Sequence, residues 1–172
     1  MSHLLRLLTF FALAAGLASA APADFTGRWR LDTTRSTALD GWHAWDLVIT
    51  TEGSRVTLRH DMTWRTTKHS AANTFDTTAP AAVKDFFRVE QRHMALYPAK
   101  GGTTTVRAEW IDGGRTLRTE ALTPIEISQG EATMRITSEY RLVEGDAALL
   151  LIELHSSRPR PLVYRFTKVS EK

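Results

Sequence analysis

Past the first two dozen residues, apolar and polar positions alternate with a period of two along most of the chain. Phe25, Gly27, Trp29 and Leu31 alternate with Thr26, Arg28, Arg30 and Asp32, and Trp45, Leu47 and Ile49 alternate with Asp46, Val48 and Thr50. The clearest row is Val56, Leu58, His60, Met62 and Trp64, whose intervening positions Thr57, Arg59, Asp61, Thr63 and Arg65 are all polar. Successive side chains of a strand point to opposite faces, so each row predicts a strand with one dry and one wet side. The C-terminal half repeats the scheme in Val106–Trp110, Leu117–Ala121 and Ala132–Leu142, where Ser138 and Tyr140 fall on the apolar side. Leu150, Ile152 and Leu154 then read as the inward row of the next strand, which puts Glu153 and His155 on its polar face. Leu162 to Val169 reads as a final strand.

Turn residues stand between these rows. Glu52-Gly53-Ser54, Asp112-Gly113-Gly114, Gln129-Gly130-Glu131 and Glu144-Gly145-Asp146 each place a glycine where a tight hairpin needs positive φ. Strands joined in this way are antiparallel neighbours. A meander with one apolar face buries that face and loses its edges by closing into a barrel. Two stretches break the alternation. Thr33 to Ala44 reads as a loop with a helical turn near Ser36 to Asp40. In Thr66 to Pro98, the spacing of Val83, Phe86 and Phe87 behind Pro80 predicts a short helix over about 80–88, followed by a strand from about Gln91 to Tyr97.

The N-terminus follows a different rule. Arg6 precedes an apolar run from Leu7 to Leu17, and Ala18-Ser19-Ala20 forms a small-x-small site before Ala21 and Pro22. That order is the pattern of a secretory signal, with cleavage expected after Ala20 and a single domain over 21–172. The chain is thereby expected to be exported, to the periplasm or beyond. The longest later apolar stretch, Ala147 to Ile152, is strand-sized, so no membrane span is expected once the signal is removed. The 172 residues contain no cysteine, which excludes disulfides, thiol nucleophiles and thiolate metal sites.

The net charge of +3 comes from 22 basic and 19 acidic residues. The basic residues alternate with acids (Arg107 with Glu109, Arg118 with Glu120, Arg135 and Arg141 around Glu139) and form no stripe with interleaved aromatics. Nucleic acid is therefore not an expected partner.

Phe25-Thr26-Gly27-Arg28-Trp29-Arg30-Leu31-Asp32 resembles the first strand of lipocalin-like proteins, with its Gly-x-Trp. Thr33-Thr34-Arg35-Ser36, Trp110-Ile111-Asp112-Gly113-Gly114 and Tyr164-Arg165-Phe166-Thr167-Lys168 are similar to later segments of exported bacterial lipocalin-like (calycin-type) domains. The resemblance implies an all-β fold, an antiparallel up-and-down barrel of eight to ten strands with an apolar interior. It also implies a barrel-closing cation–π pair between Trp29 and an arginine near the last strand, Arg165 or, in competition, Arg160.

No nucleophile motif or phosphate-cradling loop is present, and the histidines lack ligand spacing, so no catalytic residue, metal or cofactor is assigned. The residues expected to line the barrel are Trp29, Trp45, His60, Met62, Trp64, Trp110, Ser138 and Tyr140. Aromatics with few polar groups among them suit a small, largely apolar ligand. Two other readings stand beside that one. The barrel is filled and serves as an envelope interaction module, or an inward His60 acts as a general base with Ser138 and Tyr140. The pattern assigns no oligomeric state.

Overall fold

The computed structural model describes residues 23–39, 41–89 and 97–170. The signal sequence, Asp40 and the strand expected over 91–96 lie outside these residues. The chain forms β1 (Gly27–Leu31), β2 (Ala44–Glu52), β3 (Arg55–Trp64), β4 (Thr67–Asp76), β5 (Ala81–Lys84), β6 (Tyr97–Pro98), β7 (Thr103–Ile111), β8 (Thr116–Ile127), β9 (Gly130–Val143), β10 (Ala148–His155) and β11 (Leu162–Lys168). Ten of them form one antiparallel sheet in the order β4-β3-β2-β1-β11-β10-β9-β8-β7-β5, while the two-residue β6 pairs with β8. The sheet curls into a nearly closed barrel. Its seam lies between β4 and β5, the two ends of the path, which share no backbone ladder.

The inward rows make the core. Trp29, Trp45, Leu47, Ile49, Val56, Met62, Leu117, Leu149, Leu151, Tyr164 and Phe166 are all essentially buried. The end of the barrel that carries the β2–β3, β7–β8 and β9–β10 turns is closed from within. Phe25 crosses it and packs on Trp110 with ring centroids 5.0 Å apart, and Trp29 Nε1 donates to the Phe25 carbonyl at 2.9 Å. Asp112, Gly113 and Gly114 all take positive φ in the β7–β8 turn, a run that the paired glycines relieve of Cβ strain.

On the outer face, opposite charges meet across strands. Asp46 accepts from Arg28 at 2.9 Å and from Arg30 at 2.9 and 3.0 Å, and Asp61 accepts from Arg28, Arg59 and Ser70. Arg118 and Arg141 bridge to Glu139. Partial burial pushes the Asp46 carboxyl up, but the hydrogen bonds and charges of Arg30 and Arg28 outweigh it and hold the pKa below the usual range.

Three sequence expectations are corrected. Residues 81–84 are a strand, not part of a helix over 80–88. Ala81 to Lys84 pair with Thr103 to Val106 of β7, and Asp85, at φ 51°, ends the strand. A helix of two turns leaves its terminal amides and carbonyls unsatisfied, whereas the exposed edge of β7 offers each a partner. The loop after β1 makes turns but no helix among its described residues. Thr37 and Ser36 instead pair with the backbone of Val163 and Arg165, covering β11.

The third correction is a change of face. Leu149, Leu151, Glu153 and His155 point inward on β10, and Leu150, Ile152 and Leu154 point outward, Leu154 being 53 % exposed. Val143 pairs with Ala148, so the turn between them has four residues. The ladder then sets Leu149 opposite Leu142, and Glu153 opposite Ser138. Residues directly opposite share a face, and a slip of one residue reverses it.

Candidate functional site

The described residues enclose a small interior cavity of about 20 Å³, room for roughly one water. Its lining comes from two walls and a plug. One wall is β2–β4, with Trp45 opposite Met62, Leu58 opposite Asn73, and His60 beside them. The other is β7–β10, with Val106, Thr119, Ile136, Ser138, Tyr140, Leu151 and Glu153. The plug is Phe86, Phe87, Arg88 and Val89, the irregular segment that follows β5.

The plug is held at the seam. Asn73 of β4 donates through Nδ2 to the Phe87 carbonyl at 2.7 Å and accepts from the Phe87 amide at 2.9 Å. Those two bonds link the elements flanking the seam, where no ladder exists. The Phe87 ring lies between two imidazoles, 5.0 Å from His60 and 5.2 Å from His69. His60 continues to Trp45 at 5.5 Å, and Trp45 meets Tyr164 and Phe166 edge-on at 5.1 and 5.0 Å. A continuous row of rings thus runs from the seam to the core. Each such contact adds to the apolar burial.

The polar groups of the interior are arranged by register. Thr119 of β8, Ser138 of β9 and Glu153 of β10 stand directly opposite one another in successive strands and form one polar rung. The next rung toward the closed end is Leu117, Tyr140, Leu151 and Tyr164. Ser138 Oγ is 3.5 Å from Glu153 Oε1, and His155 Nε2 is 3.8 Å from that oxygen. Burial, aided by the Glu153 charge, raises the Tyr140 phenol far above its ordinary value, and the Ser138 hydroxyl opposes this. Burial pushes the His60 imidazole down to about 3, with the outer Asp61 charge opposing. His60 is therefore neutral across the ordinary pH range, and its Nδ1 has no hydrogen-bond partner.

Of the residues expected to line the barrel, Trp45, His60, Ser138 and Tyr140 surround this cavity, and Trp29, Met62, Trp64 and Trp110 do not. Met62 is buried against the wall. Trp29 and Trp110 belong to the closed end. Trp64 keeps its place in the alternation but lies past the core at the β3–β4 hairpin, 43 % exposed, with the Arg65 guanidinium over its ring at 5.4 Å.

The cation above Trp29 is Lys168, at 5.2 Å, where the resemblance implied Arg165. Lys168 is the register partner of Trp29, whereas Arg165 points outward and pairs with Glu144. Arg160 is exposed in the loop before β11.

Reasoning from the sequence missed Glu153, His155, Asn73 and the plug. Counting the β9–β10 turn as four residues recovers the first two. Strand β4 was missed altogether, because among its residues only Asn73 and Phe75 are buried and the rest show no apolar alternation.

The geometry does not assemble a nucleophile relay. His60 makes no hydrogen bond to Ser138 or Tyr140. In the Ser138, Glu153, His155 series the carboxylate is the central member, so no imidazole stands next to the hydroxyl to take its proton. Among the described residues no group of three His, Asp or Glu side chains is placed to hold a metal ion, and no helix is long and apolar enough to cross a membrane.

No family model matches the chain, and no curated protein does. Among solved structures it is similar to a Schistosoma mansoni fatty acid binding protein in complex with arachidonic acid. The two share 10% identity over 85% of this chain and 96% of that one, with a TM-score of 0.50. It is also similar to secretory abundant heat soluble protein 4 from Ramazzottius varieornatus, at 11% identity over 84% and 94% of the two chains, with a TM-score of 0.48. At its identity the likeness to the Schistosoma protein is one of fold, an antiparallel β-barrel.

Proposed function

We propose that this chain is an exported barrel that takes a small, largely apolar molecule into its interior through the seam between β4 and β5. The observation that carries the reading is what fills the interior. The walls are laddered strands, but the space between them is occupied by two phenylalanines of an irregular segment that Asn73 holds through two hydrogen bonds and whose Arg88 reaches Met134 Sδ. Withdrawing that segment leaves every ladder of the barrel intact. An apolar cavity of about 150 Å³ holds one benzene ring, so vacating two phenyl rings opens roughly 300 Å³, the lower end of the range for ligand pockets. The fold supports the same reading, since the similar Schistosoma protein was solved with arachidonic acid. Export rests on the sequence pattern of residues 1–20 and implies a mature N-terminus at Ala21, which N-terminal sequencing of the exported protein checks.

The test is a titration with a neutral apolar fluorophore, N-phenyl-1-naphthylamine, read by energy transfer from tryptophan. Saturable one-to-one binding is expected. Asn73→Ala removes both bonds between β4 and the plug and is expected to tighten binding about tenfold, the equivalent of about 1.4 kcal/mol no longer spent on opening. The filled-barrel reading is favoured by the 20 Å³ of free space. It takes over if neither protein binds the probe while both retain their β circular dichroism.

A further inference from the structure

The polar rung gives the interior a chemical preference. Glu153 is 7 % exposed, deep in the barrel, with Ser138 next to it in register and Thr119 one strand beyond Ser138. An ionised carboxylate has about four acceptor sites. Among the described residues Glu153 has one hydrogen bond, at the 3.5 Å limit, from Ser138 Oγ. The His155 Nε2 at 3.8 Å is beyond hydrogen-bond length and has no hydrogen-bond partner of its own. Buried carboxylates are otherwise paired and hydrogen-bonded, so acceptor capacity left open here is capacity for something that enters.

The groups around Glu153 fit a donor and oppose an acid. Ser138 and Tyr140 lie beside it on β9 and His155 on its own strand, and Thr119 of β8 lines the same cavity. His60, in the opposite wall, is neutral. Arg88 is the cation of the cavity lining, but it belongs to the plug, where it reaches Met134 Sδ at 3.7 Å. When the plug withdraws to admit a ligand, Arg88 leaves with it and Glu153 stays. An incoming carboxylate then faces a second carboxyl group, and an incoming ammonium faces its acceptor oxygens.

We propose that the molecule held in the barrel is an aliphatic amine, its ammonium group received by Glu153 with the Ser138 hydroxyl beside it and its chain lying along Trp45 and the space of Phe86 and Phe87. This inference rests on the reading of the barrel as a binder of apolar molecules and adds the class of head group. The chain's formal charge of +3 repels cations at long range, so a preference for an amine has to arise locally.

The experiment displaces the naphthylamine probe with three twelve-carbon compounds, each below its micellar concentration: dodecylamine, dodecanol and dodecanoate. The expected order is amine, alcohol, carboxylate, with the amine at least tenfold tighter than the alcohol. Glu153→Gln is expected to bring the amine within threefold of the alcohol. Dodecanoate equalling or beating the amine in the unaltered protein overturns the head-group assignment while the apolar site stands. An amine preference that survives Glu153→Gln overturns it too. If none of the three displaces the probe, or the probe itself does not bind, the interior-binding reading fails and this inference with it. The comparison within the unaltered protein decides the matter even if the variant does not fold.

Discussion

His60 offers the sharpest test of how dry the interior is. Its pKa in the folded barrel is about 3, because burial disfavours the imidazolium, against about 6.5 in an unfolded chain. A folded-state value below the unfolded one means that the unfolded chain takes up the proton first as pH falls. The neutral-histidine contribution is therefore complete above about pH 6.5 and is lost progressively down to about pH 3. At pH 4.5, two units below the unfolded value, the loss is about 2.7 kcal/mol at about 1.36 kcal/mol per unit. For a chain of this length that corresponds to a fall of roughly 5–10 °C in Tm.

The perturbation is His60→Gln, which keeps a neutral polar side chain and removes the titration. Urea unfolding of both proteins at pH 7 and pH 4.5, followed by tryptophan fluorescence, gives the four free energies. The unaltered protein should lose about 2–3 kcal/mol more than the variant between the two pH values, whatever the variant's absolute stability. Other titrating groups cancel in the difference. The depressed carboxylates Asp32 and Asp76, held near 2 by the hydroxyls of Thr34 and Thr78 with help from Arg35 and Ser54 respectively, act below this window. Parallel losses, within about 0.5 kcal/mol, would refute the reasoning, because they require His60 to be as solvated in the barrel as in the unfolded chain.

The face of β10 is tested by a pair of substitutions. Leu151→Ala should cost about 2–5 kcal/mol in urea unfolding, as for a buried leucine, and Leu154→Ala less than about 0.5. The reverse order would restore the inward row read from the sequence. Asp46→Asn should cost about 1–2 kcal/mol at low salt, since three charge-assisted bonds from Arg28 and Arg30 converge on one carboxylate, and clearly less in 1 M NaCl. A cost that does not change with salt would assign the effect to packing instead.

What could be read in the sequence was whatever local periodicity encodes. A strand with one wet face must alternate, so β1, β2, β3, β7, β8, β9 and β11 were legible, and the glycines of the turns marked where the chain reverses. Antiparallel neighbours with a shared apolar face then led to a barrel. In β10 the row Leu150, Ile152 and Leu154 reads as inward from the sequence, but Ala148 to Ile152 are all apolar and suit either face. Only the length of the turn before β10, fixed by pairing with β9, decides that Glu153 and His155 point inward. In the same way the spacing of Val83, Phe86 and Phe87 suits a helix by itself, and the free edge of β7 together with Asn73 on a strand far away turns it into a short strand and a plug. Half of the candidate site was therefore visible as Trp45, His60, Ser138 and Tyr140. Glu153, Asn73 and the two phenylalanines became part of it through register and long-range hydrogen bonding, which depend on partners distant along the chain and leave no local trace in the residues themselves.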